Sequence, residues 1–76
     1  MKDGDHVVFV DAHGVEHEAL VTTLFPGMGG DEPGVNVVYV QQDKAMHDSY
    51  GQQITRETSV VHQSAQPAHG MYWRKP

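Results

Sequence analysis

Apolar residues in this chain come in short runs punctuated by turn residues, without the three-and-four spacing of an amphipathic helix. Val7-Val8-Phe9-Val10 is β-branched and aromatic and predicts a largely buried strand. It runs into Asp11-Ala12-His13-Gly14. The aspartate can cap the backbone at the first turn position, and the glycine can take the left-handed conformation at the fourth. Together they predict a type I turn with a bulge. A second strand then returns over residues 15–24. It is polar near the turn (Glu16, His17, Glu18) and apolar beyond it (Ala19, Leu20, Val21), as expected of a strand that leaves solvent and enters a core.

Residues 25–34 contain four glycines and two prolines and break both helix and strand, leaving a loop that is mobile or is ordered by a partner. Val35-Asn36-Val37-Val38-Tyr39-Val40 predicts a third strand. A second turn, Asp48-Ser49-Tyr50-Gly51, repeats the chemistry of the first and points to a meander of hairpins. Residues 52–58 alternate weakly around Ile54, which suits an exposed or edge strand, and Ser59-Val60-Val61-His62 fits a 3-10 turn or a last strand. Helix is confined to one candidate turn, Asp43 to His47. The pattern predicts an all-β chain: a small SH3-like barrel of about five short antiparallel strands, with a long Gly/Pro-rich loop and an aromatic C-terminal arm. The barrel takes residues 1–62 and the arm, a polar linker followed by Met71-Tyr72-Trp73-Arg74, takes 63–76. An open antiparallel sheet completed by a neighbouring subunit is the alternative.

Size changes the functional picture. A chain of 76 residues buries only about 60% of the surface its unfolded form exposes, so its core is thin and a deep substrate cavity is not expected. There are no cysteines, which removes disulfides and thiol nucleophiles and favours a reducing compartment or an oligomer. The N-terminal residues lack the apolar stretch and cleavage pattern of a signal peptide, and the longest apolar runs are only four residues, so no membrane span is expected. Charge is uneven. Residues 1–32 set one lysine against seven acids, a net of −6, and residues 33–76 set four cations against three acids, a net of +1. Nucleic acid calls for a basic face, which only Arg74-Lys75 hints at, so nucleic-acid binding is not expected. An acidic half could complement a basic protein surface.

Candidate chemistry is sparse. His13 and His17 lie near Asp11 and Glu16, a set that could hold zinc or nickel, but the turn places the two histidines apart and no third ligand has motif spacing. They read as surface histidines, with no metal and no cofactor. Ser49, Ser59 and Ser64 sit in no nucleophile-elbow context, so no catalytic residue is assigned. Pro26-Gly27-Met28-Gly29-Gly30-Asp31 lacks the lysine, serine and helix of a phosphate cradle. The terminal Met71, Tyr72, Trp73 and Arg74 concentrate residue types found at interface hot spots, and with Phe25 and Met28 they form the candidate partner-binding set. The same tail could instead fold back as a final strand.

Several segments, taken as a set, carry a resemblance: Gly4-Asp5-His6-Val7-Val8-Phe9-Val10-Asp11-Ala12-His13-Gly14, Glu18-Ala19-Leu20-Val21-Thr22, Val35 to Val40, Asp48-Ser49-Tyr50-Gly51, Thr58 to His62, and Tyr72-Trp73-Arg74. The chain resembles small proteins encoded by tailed bacteriophages and prophages, and its opening glycine-aspartate and hairpin are similar to KOW/SH3-like modules. The likeness spans most of the chain and carries no catalytic motif. It implies a non-enzymatic protein-interaction module, present in several copies and associated with a capsid, connector or tail. A small acidic inhibitor of a host defence or regulatory protein is the alternative. The expected location is the virion or the host cytoplasm.

Overall fold

A computed structural model describes residues 1–27, 30–40, 47–48, 51–52, 54–67 and 70–76. The strands are β1 (His6–Val10), β2 (Glu16–Phe25), β3 (Gly34–Val40), β4 (His47–Asp48), β5 (Gly51–Gln52), β6 (Ile54–Val60) and β7 (Tyr72–Arg74), with a 3-10 turn at Gln63–Ala65. One five-stranded sheet has the order β6-β3-β2-β1-β7, and every pairing in it is antiparallel. β4 and β5 form a separate two-stranded ribbon. The described residues contain no α-helix. The fold is therefore all-β, with five antiparallel strands curled into a half-barrel.

The first hairpin forms from its local chemistry. Gly14 N–H donates to the Asp11 carbonyl (2.9 Å), and Asp11 Oδ1 accepts from the amides of His13 (2.9 Å) and Val15 (3.0 Å). Gly14 sits at φ +79°, where a side chain would be strained. Two boundaries differ from the sequence reading, since Phe25 ends β2 and Gly34 opens β3, paired with each other across the sheet. In the second turn Asp48 pairs with Gly51, while Ser49 and Tyr50 lie outside the described residues. So do Asp43 to Met46 of the candidate helical turn, whose last residue, His47, opens β4.

Curl comes from two irregularities that meet at Asn36. The β2–β3 register shifts between Val21 and Thr23, and the β3–β6 register shifts between Val35 and Val37. Extra residues on the flanking strands sharpen twist and bend the sheet. Asn36 holds both irregularities: its carbonyl accepts from Thr22 Oγ1 (3.3 Å), and its Oδ1 accepts from the Ser59 amide (2.9 Å), where Ser59 takes φ +56°. The concave side then encloses the core of Val7, Phe9, Ala19, Val21, Val35, Val37, Tyr39, Val60 and Trp73.

Residues 63–76, expected as an arm, carry the 3-10 turn and the fifth strand of the sheet. β7 pairs with β1, setting Trp73 opposite Phe9, and on its other side Trp73 bridges His62 in parallel, with its amide bonded to the Val61 carbonyl (3.0 Å). The Trp73 side chain is 0% exposed, and its indole Nε1–H donates to the Pro33 carbonyl (2.9 Å). Of the two destinations open to the tail, the described structure has it on its own core. Gly30, Asp31 and Pro33, before β3, make contacts here too. Asp31 N–H donates to Ser64 Oγ (2.7 Å), and Gly30 lies so close to the 3-10 turn that a Cβ there would fall 2.5 Å from Ser64 Oγ.

Trp73→Ala should cost roughly 3–5 kcal/mol, enough to unfold most of a domain this small. Trp73→Phe should cost less, because it keeps most of the packing and loses the bond to Pro33. Urea unfolding followed by circular dichroism measures both, and a Trp73→Ala protein as stable as the parent would contradict this account of the core.

Candidate functional site

Alternation along the strands sends every second side chain to the convex face. On β2 these are Glu16, Glu18 and Leu20, and on β3 they are Asn36, Val38 and Val40. β1 contributes Val8 and Val10, both buried although they lie outside the main core cluster. Their cover is visible in the register. Val10 faces Glu16 on one side and Tyr72 on the other, and Val8 faces Glu18 and Arg74. Arg74 reaches across β1 to form an ion pair with Glu16, so the arginine stem and Tyr72 roof the two valines.

Among the described residues, the other half of the convex face has no such roof. Leu20 is 49% exposed, Val40 44% and Ile54 65%, and Val38 is half-buried. Register joins them into one strip across three strands: Leu20 faces Val38, Val38 faces Arg56, and Val40 faces Ile54. Arg56 is exposed and meets no acid among the described residues. At the opposite margin His6 pairs with Glu18.

Three other features were weighed as sites. A cleft of about 380 Å³ is lined by Met1, Asp5, His6, Glu32, Lys75 and Pro76. The Lys75 ammonium 2.9 Å from Glu32 holds that carboxyl below its usual range against an opposing effect of burial, so these two charges are matched to each other. His17 is 7% exposed and sits inside the core, its ring 4.5 Å from Tyr39 and 5.9 Å from Phe9. Its Nε2 lies 2.8 Å from Asp11 Oδ2; a carboxylate only accepts, so Nε2 carries the proton. Nδ1 is buried with no hydrogen-bond partner. The sequence reading of His17 as a surface residue is corrected here: it shares the inward register of Ala19 and Val21. His13 stays exposed at the hairpin tip, so the two do not converge. Finally, the Ser64 hydroxyl lies between the Asp31 amide and His62 Nδ1 (2.8 Å), a structural relay that ties loop to 3-10 turn. Among the described residues no three of His, Asp and Glu gather as a metal site.

The partner-binding set is dispersed in the fold. Trp73 is in the core, Met71 packs half-buried against it, and Phe25 is half-buried at the end of β2. Tyr72 and Arg74 reach the convex face, on its roofed side, and Met28 lies outside the described residues. Leu20, Val38, Val40 and Ile54 were absent from the set, since a run such as Val37 to Val40 does not reveal which face is left in water. No described helix is long and apolar enough to cross a membrane. No protein-family model, curated protein or solved structure matches the chain.

Acid sensitivity follows from the first turn. Burial works against the Asp11 carboxylate, but hydrogen bonds from His17 and from the Val15 and His13 amides outweigh it and hold the carboxyl below its ordinary 3.8. A depressed carboxyl stabilises the fold fully above its unfolded value, and the contribution disappears as pH falls through the folded value. Stability should therefore drop below about pH 4, and Asp11→Asn should be weaker at neutral pH yet lose less on acidification. Parallel pH profiles for the two proteins between about pH 5 and 2.5 would show that Asp11 has no such part.

Proposed function

We propose that this chain is a non-enzymatic protein-interaction module on an SH3-like barrel, serving as a small structural or accessory protein of a bacteriophage particle. The observation that carries the docking role is the bare convex strip of Leu20, Val38, Val40 and Ile54. The same face covers Val8 and Val10 with an ion pair and a tyrosine, so its apolar residues are roofed on one side only. Contiguous exposed apolar patches rimmed by polar residues are a mark of protein contacts.

Strand order supports the barrel reading. β1, β2, β3 and β6 form a meander, and the last strand follows a 3-10 turn and returns to β1. The non-enzymatic reading draws on where three of the described histidines go: His17 to the core, His62 to the 3-10 turn, His6 to Glu18. The phage role rests on the sequence resemblance. An acidic inhibitor has less to draw on, because Asp11, Glu16, Glu18 and Glu32 all have partners within the chain.

Leu20→Lys and Ile54→Lys replace exposed side chains and should change stability by no more than about 1 kcal/mol. Each should prevent incorporation into particles of the encoding phage, read by mass spectrometry of purified virions. Particles that lack the unaltered chain while infected cells contain it would reject the virion role. Normal incorporation of both variants would reject the strip as the docking surface.

A further inference from the structure

We propose that His62 is a proton-operated latch: its neutral ring holds residues 30–31 against the 3-10 turn, and uptake of a proton by the ring releases them. The latch and the convex strip share no residue, so each stands or falls alone.

The ring is half-buried at the N-cap of Gln63–Ala65. Its Nδ1 accepts from the Ser64 amide (3.2 Å) and lies 2.8 Å from Ser64 Oγ. An amide only donates, so Nδ1 carries no proton, and its lone pair receives the hydroxyl hydrogen as well. With its hydrogen so directed, Ser64 Oγ turns a lone pair to the Asp31 amide (2.7 Å). Gly30 comes close behind: a Cβ there would fall 2.5 Å from Ser64 Oγ and 2.9 Å from the Ala65 nitrogen. One imidazole lone pair thus orients the Ser64 hydroxyl, and that hydroxyl holds the loop.

A proton on Nδ1 turns this acceptor into a donor. It then opposes the Ser64 amide, donor to donor, and the hydroxyl loses the partner that oriented it. The surrounding charges give the imidazolium somewhere to go. On the loop, Glu32 lies within electrostatic reach of the ring: Lys75 chiefly, and His62 more weakly, hold its carboxyl below the usual range. The exposed Asp31 carboxylate precedes it. From β7, Trp73 meets the ring edge-on with centroids 4.7 Å apart, Tyr72 and Arg74 reach the convex face, and Lys75 beyond them is engaged with Glu32. Two acids against one paired lysine favour the charged ring once it has left Ser64. Release is local, because Trp73 keeps its indole bond to Pro33 and its amide bond to Val61. Histidine is the side chain whose charge changes between about pH 5 and 8, above the acid range in which the Asp11 turn weakens.

A titration of the full chain between about pH 7.5 and 5.5 tests the latch. Emission from Trp73, the one tryptophan in the chain, reports the proton itself, because an imidazolium against an indole quenches it. Temperature coefficients of the amide proton shifts in nuclear magnetic resonance separate bonded from solvated amides and report the clasp. On acidification Trp73 emission should fall, and the Ser64 and Asp31 amides should pass from bonded to solvated in step with it. His62→Asn keeps a side-chain acceptor at the cap without a titrating group, so both amides should stay bonded throughout. In Ser64→Ala emission should still fall, while the Asp31 amide is solvated at both ends of the titration. Flat emission in the unaltered chain, amides that stay bonded after the emission has fallen, or a release that persists in His62→Asn each overturn the latch. The titration of the unaltered chain is decisive even if a variant does not fold.

Discussion

Burial of Trp73 is the contact on which the rest of this structure depends. A chain of 76 residues has little apolar surface to bury, and its aliphatic core consists mainly of valines. Trp73 is the largest of the fully buried side chains, and it arrives from the far end of the chain. Its placement requires β7 to pair with β1, requires the chain after β6 to turn through Gln63–Ala65, and fixes the loop before β3 through Pro33. Three segments distant in sequence are thus held by one indole. The aromatic end of this chain is the last piece of its core.

The curl produced around Asn36 divides the sheet into two unlike faces. Inside, alternate residues of all five strands meet and even a histidine is taken into the core, its Nε2 matched by Asp11 and its Nδ1 left without a partner. A buried polar atom without a hydrogen bond costs about 1–3 kcal/mol, a substantial fraction of the stability of a small domain. The stacked position between Phe9 and Tyr39 offsets part of it. Outside, the face is half roofed and half bare. That asymmetry gives the convex side a direction, and a direction is what a specific contact needs beyond stickiness.

Features set by neighbours in sequence were legible from the sequence. The Asp11 to Gly14 turn follows from two residues and their known conformational needs, and Ile54 alone among polar neighbours marked β6 as a terminal strand, which it is. Features set by distant pairing were not. The Met71 to Arg74 segment reads equally as an arm or a strand until β1 is known to have an open edge beside it. His17 looks solvated between Glu16 and Glu18, and only its two-residue spacing from Ala19 and Val21 betrays the inward register. The bare strip is hidden for the same reason. Val38 and Val40 sit among valines whose alternate members are in the core, and composition does not say which alternate set is covered.

Charge shows how far a linear pattern can mislead. The first 32 residues are strongly acidic and the chain ends in Arg74-Lys75, which along the sequence looks like an acidic surface seeking a basic partner. In the fold the two ends meet: Arg74 takes Glu16 and Lys75 takes Glu32, both at the surface, where such pairs are worth at most about 1 kcal/mol each. Their contribution is chiefly to register. A β7 displaced by two residues would keep its inward and outward alternation yet carry Arg74 away from Glu16, uncovering Val8 and Val10, so the ion pair penalises a slip that alternation alone would tolerate. Much of the apparent polarity of the sequence is therefore satisfied within the molecule, and Arg56 is left as a cation with no acid beside it among the described residues. An exposed cation costs nothing in water by itself. Placed opposite Val38, at the margin of the uncovered aliphatic strip, it gives that strip a polarity that the acidic half of the chain does not supply.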